Sequence, residues 1–130
     1  MELTKVTLVV RDYDEATAWY VARLGFVVRE DVPMPDQGKR WVVIGPPGGG
    51  PGFVLGRATT DAQLAAVGNQ TGGRVFLFLG TDDFTRDFDR LVAHGTTIVR
   101  GPIAEPYGMV AVFADLYGNL WDLLEPHTCQ

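Results

Sequence analysis

The chain states nearly the same pattern twice, and that duplication limits its fold more than any other feature. Residues 5–26 read KVTLVVRDYDEATAWYVARLGF, and residues 75–96 read VFLFLGTDDFTRDFDRLVAHGT. Each opens on an apolar run, reaches an aspartate-bearing turn, continues at helical spacing and stops at glycine. Asp12 to Gly25 and Asp82 to Gly95 span the same distance. Each copy then passes through a hairpin region into further apolar runs, WVVIGPPGGGPGFVLG in the first and MVAVFADLYGNLWDLLEP in the second. Two copies are too few, and each is too long, for a solenoid. The pattern predicts an α+β protein of tandem βαβββ modules. The first covers 4–56 and the second 74–126, joined by a linker over 57–73 that carries a short helix, all within one domain.

Local chemistry fills in the elements. Val6–Val10 is β-branched and reads as a strand. Asp12 or Asp14 can cap the helix that follows, and Ala16, Trp19, Tyr20 and Leu24 recur at helical spacing, so they form its packed face. Gly25 ends it where a positive φ is needed. Strands follow over 26–29 and 40–44, with a loop over 31–38 between them. GPPGGGPG reads as a hairpin turn before the strand 53–55. In the linker, an Asp-capped helix is expected over 61–67. The second copy gives a strand over 75–79, a helix over 84–94 packed through Phe84, Phe88, Leu91 and Val92, and strands over 97–100, 109–114 and 120–124. Tyr117-Gly118-Asn119 supplies the last tight turn.

The net charge of −5, with no basic stripe, argues against nucleic acid or an anionic membrane as partner. No apolar run approaches the ~20 residues of a membrane span. The N-terminus lacks a cleavable small-residue site, and the single cysteine, Cys129, has no internal disulfide partner, so a cytoplasmic location is expected. GPPGGGPG is no phosphate loop, because it lacks the Lys-Ser/Thr ending and its prolines remove N–H donors. Serine is absent, so no serine nucleophile exists. His94 precedes a helix-ending glycine, and His127 falls in a tail expected to be disordered.

The segments VRD, AWY and LGF near the start, with DLYGNLWDL near the end, resemble the vicinal oxygen chelate superfamily. That superfamily includes glyoxalase I, bleomycin-resistance proteins, fosfomycin-resistance enzymes and extradiol dioxygenases. The resemblance implies paired βαβββ modules forming a half-open barrel around a cup. Its enzymes hold a divalent metal through His and Glu side chains. Here the matching positions are Lys5, Leu55, Val75 or Phe76, and Asp122, which offer one ligand where about three are usual. The expectation is therefore no metal and no cofactor.

Strand alternation places Lys5, Thr7 and Val9 on one face and Val6, Leu8 and Val10 on the other. Trp41, Phe53, Phe76 or Phe78, and Tyr107 are candidate walls of an apolar cup. Lys5, Thr7, Arg40 and Asp122 are candidate polar contacts, with ordinary core packing, or a Lys5–Asp122 ion pair, as the competing explanations. The resulting expectation is a metal-independent small-molecule binder of the bleomycin-resistance type, acting as a homodimer. The alternatives are a lyase, isomerase or dioxygenase, with Asp122 and Lys5 or Tyr107 as acid and base, and a regulatory interaction module.

Overall fold

The computed structural model describes residues 1–127, and its contacts divide into two compact units, Met1–Val67 and Gly68–Gln130. The break falls inside the expected linker.

The first unit runs β1 (Lys5–Val10), α1 (Tyr13–Leu24), β2 (Val27–Met34), a single 3-10 turn (Pro35–Gln37), β3 (Lys39–Gly45), β4 (Gly52–Arg57) and α2 (Asp61–Ala66). Its sheet has the order β1-β4-β3-β2, with β1 parallel to β4 and the other pairs antiparallel. The second unit repeats this with β5 (Val75–Gly80), α3 (Phe84–Ala93), β6 (Ile98–Glu105), β7 (Gly108–Ala114) and β8 (Leu120–Pro126), ordered β5-β8-β7-β6. The duplicated βαβββ unit is thus present twice, as two four-stranded sheets. No helix among the described residues is long and apolar enough to cross a membrane.

Both long helices start and stop as their sequences dictate. Asp12 caps α1, its carboxylate accepting from the Glu15 N–H at 2.7 Å, and Asp83 caps α3 through the Arg86 N–H. Gly25, at φ 69°, ends the first, and Gly95, at φ 74°, follows the second. α1 buries Ala16, Trp19 and Tyr20 as expected, and also Tyr13. In α3, Phe84 and Leu91 are buried and Phe88 half-buried, but Val92 is 52% exposed. It lies one position past Leu91, a rotation that carries it off the packed stripe. The short linker helix is capped by Thr60, whose hydroxyl accepts from the Gln63 N–H, and not by Asp61.

Half of the expected loop over 31–38 is strand, and Pro35–Gln37 form the 3-10 turn. β2 continues to Met34 and pairs with β3 as far as Met34–Lys39. Pro33 is tolerated because β2 is an edge strand, so the missing N–H can face solvent. A bulge between Val28 and Glu30 frees Arg29 from the ladder. Its guanidinium donates to the Pro46 and Gly50 carbonyls at 2.8 Å and to Gly49 at 3.2 Å, stitching the GPPGGGPG turn to the sheet. Gly45 and Gly52 make room for this, since a Cβ on Gly45 would sit 2.7 Å from the guanidinium carbon.

The DLYGN turn of the second unit is built on Asp115. Its Oδ1 accepts from the Tyr117, Gly118 and Asn119 N–H groups, all at 3.0 Å. Oδ2 accepts from the Asn119 side chain at 3.1 Å. His127 is ordered rather than a loose tail: its N–H donates to the Tyr107 carbonyl, and its Nε2 lies 3.2 Å from the Glu105 carbonyl. Cys129 lies outside the described residues.

Candidate functional site

Register fixes which side chains share a face. In the first unit Val6 opposes Phe53 and Leu8 opposes Leu55, while Thr7 opposes Val54. Leu8, Val10, Phe53 and Leu55 are buried on the side covered by α1. Lys5, Thr7, Val54, Val43 and Trp41 share the opposite, helix-free face. Phe53 is therefore not a wall of that face. It is 8% exposed and continues an aromatic stack, Tyr20–Phe26–Phe53, with ring centroids 5.8 Å apart at each step. A strand's two faces alternate, so a register-blind reading can assign an aromatic to the wrong one.

Arg40 also departs from its expected role. Its guanidinium bonds Asp31 at 2.8 Å and Asp14 at 3.0 Å and lies 5.3 Å from the Tyr13 ring centre. These bonds, Asp31 first, push the guanidinium above its usual range, and the same contact draws the Asp31 carboxyl down. Arg40 ties β2 and β3 to α1, a structural task.

Between β3 and β4 the sheet opens. They pair only at Val43–Val54 and Ile44–Phe53. The equivalent strands β7 and β8 stay in register from Gly108–Pro126 through Ala114–Leu120. The Arg40 N–H, released from that ladder, donates to the Tyr13 hydroxyl at 3.4 Å. The opening is a cleft of about 420 Å³. Trp41, Met34, Val54 and Leu55 form its apolar surface, and Lys39, Arg57, Gln37 and Gln63 its polar one. The Trp41 indole is oriented by a 3.1 Å bond to Glu30. Arg57 donates to the Gly38 carbonyl at 3.1 Å and lies 5.7 Å from the Tyr13 ring centre. Of the cleft residues, sequence reasoning named only Trp41, Leu55 and Arg40. Tyr13, Lys39 and Arg57 gave no signal, because what brings them together is strand divergence.

In the second unit Phe78 opposes Asp122, and Leu120 and Leu124 lie on the same face. Phe78 is 72% exposed there. Burial raises the Asp122 carboxyl above its ordinary value, and the charge of Arg100 partly offsets this. Phe76 does not join them: a bulge between Val75 and Leu77 turns its ring onto the buried Trp121, at 6.2 Å and near-perpendicular. Tyr107 stands at the β6–β7 turn, 58% exposed, away from the strand face on which Asp122 sits.

The metal positions inferred from the resemblance do not fit a metal. Leu55 is on the helix side of its sheet, opposite to Lys5, and Phe76 is turned toward Trp121. The β4 residues that share the face of Lys5 are Gly52, Val54 and Gly56, none of which carries a donor side chain. Among the described residues no three His, Cys, Asp or Glu side chains come together.

Two four-stranded sheets of this order, each backed by one helix, define a glyoxalase-like fold. The model of the Glyoxalase/Bleomycin resistance protein/Dioxygenase superfamily matches residues 2–123, so the chain belongs to that superfamily. It is 53% identical over 124 residues to an uncharacterised protein of Shewanella frigidimarina, covering 95% of this chain and 92% of that one. Among crystal structures it is similar to TnmS3, an antibiotic-binding protein from Streptomyces sp. CB03234. The TM-score is 0.78 and the identity 28%, over 98% of this chain and 97% of that one. Glyoxalase I of Leishmania major shares the fold alone, with a TM-score of 0.71 at 18% identity over 96% of this chain and 86% of that one.

Proposed function

We propose that this protein binds a small apolar or aromatic molecule without a metal, in the manner of the bleomycin-resistance type, and does so as a homodimer. The observation that carries this reading is the Trp41 cleft, which is open, of small-molecule size and part apolar. The poor donor chemistry at the positions matching the family's metal ligands supports it, as does the likeness to the antibiotic-binding TnmS3. Lys5, Thr7 and Trp41 share one strand face in the first unit, and Phe78 and Asp122 share one in the second. Trp41, on the face that it shares with Lys5 and Thr7 in the first unit, is the residue we assign to the ligand.

A panel of planar aromatic compounds, screened by thermal stabilisation of chelator-treated protein, tests the reading. At least one compound should raise the melting temperature, and the gain should be unaffected by chelator. Stabilisation that appears only on adding a divalent metal would refute it.

A second reading has one specific observation behind it. The raised Asp122 carboxyl has the character of a proton donor or acceptor in an acid–base enzyme. Under that reading Asp122→Asn would abolish turnover of a bound compound while leaving its affinity intact.

A further inference from the structure

The cleft between β3 and β4 has the opposite charge character to the chain as a whole. The protein carries a net charge of −5, yet three cations, Lys39, Arg40 and Arg57, line this opening and no carboxylate does. The nearby acids are already engaged. Asp14 and Asp31 hold Arg40, Glu30 accepts from the Trp41 indole, and Asp12, at the adjoining mouth, caps α1. Arg40 is thus neutralised within the fold. Lys39 and Arg57 are not: among the described residues neither forms an ion pair, and the bond from Arg57 goes to a neutral carbonyl, that of Gly38.

An uncompensated pair of cations beside an apolar wall costs the fold some self-repulsion and returns it only when an anion arrives. The wall supplies the rest of the specificity. The Trp41 ring is fixed by Glu30, and Met34 and Val54 extend the apolar surface beside it. A flat ring gains area against a pre-oriented indole at little entropic cost.

We propose that this cleft binds a planar aromatic anion, its flat body against Trp41 and its single anionic oxygen group at Lys39 and Arg57. This rests on the small-molecule-binding reading and adds the ligand's charge and anchor. Among the described residues the second unit has no equivalent opening, because β7 and β8 remain paired where β3 and β4 separate.

Two fluorescent probes of similar shape separate the claims in titrations of the full-length protein: anilinonaphthalene sulfonate, an anion, and the neutral N-phenylnaphthylamine. The anion should bind about ten-fold tighter or better, the worth of one charge-assisted contact, and salt should erode that advantage. Lys39→Gln and Arg57→Gln should each weaken the anion several-fold and leave the neutral probe unchanged. Because Arg57 also supports the Gly38 turn, Lys39→Gln carries the test if Arg57→Gln fails to fold. Indole N–H resonances locate the site: that of Trp41 should move with the anion and that of Trp121 should not. Equal affinities for the two probes, indifferent to both substitutions, would overturn the anion claim and leave the binder reading standing. Movement confined to residues outside the cleft would overturn the anion claim in the same way. Failure of both probes to bind would count against both.

Discussion

The Trp121 indole N–H donates to Asp115 Oδ2 across 3.0 Å, and both residues are buried. That bond ties the last turn to the centre of the second unit's core, where Trp121 stacks near Phe113 and receives the edge of Phe76. Asp115→Ala would strand the indole N–H and the Asn119 side chain in the interior. It should cost about 2–4 kcal/mol, read as a lower urea midpoint at unchanged m-value. Asp115→Asn should cost less, because it keeps one acceptor oxygen.

Trp41 and Trp19 should separate binding from folding. Trp19 is buried on α1 against Tyr20, so Trp19→Ala should cost about 3–5 kcal/mol of stability. Trp41 is half-buried in the cleft, and Trp41→Ala should weaken aromatic ligands far more than it lowers the melting temperature. Loss of folding in both variants would erase the distinction between cleft and core.

The Asp122 carboxyl has a pH signature of known sign. Burial raises its folded-state pKa above the ordinary value of 3.8, so its contribution favours folding below that value. The contribution is lost as pH rises from 3.8 through the folded-state value. Asp122→Asn should therefore raise the melting temperature at neutral pH, and the gain should close as the solution is acidified through that window. A gain that persists undiminished below pH 3.8 would show that charge is not its source.

Elemental analysis after dialysis should find well under one Zn, Ni, Mn or Fe per chain. Stoichiometric metal that Asp122→Asn removes would overturn the metal-independent reading.

Light scattering at micromolar concentration should return the mass of a dimer. Each sheet ends in strands with a hydrogen-bonded neighbour on one side within the sheet, β1 and β2 in the first unit and β5 and β6 in the second, and pairing with a second copy is one way to cover such edges. A monomer that still binds its ligand would refute this.

The duplication, the helix caps and the terminal glycines were legible because each rests on local chemistry: an Asp at an N-cap, a Gly where φ is positive, apolar residues at a fixed period. The site was legible only in part. Trp41, Thr7, Lys5, Phe78 and Asp122 fall on helix-free faces, as simple alternation from the strand starts requires. Phe76 and Phe53 did not follow the expected pattern, the first because a bulge shifts the pleat and the second because its partner is Val6 on the helix side. Lys39 and Arg57 are eighteen positions apart in the chain and line one cleft because two strands separate, which no window of local sequence encodes.

The Arg29 clamp has a consequence for anyone who would alter this chain. GPPGGGPG has the composition of a permissive loop, the sort of place where a reporter peptide is spliced in. Three of its carbonyls are nonetheless held by one guanidinium. An insertion between Gly48 and Gly49 would pull the Gly49 and Gly50 carbonyls off Arg29 and leave the Pro46 carbonyl to hold its charge beside Gly45 and Gly52. The Gly72–Gly73 turn is the better splice point, because its carbonyls are not among those that Arg29 holds.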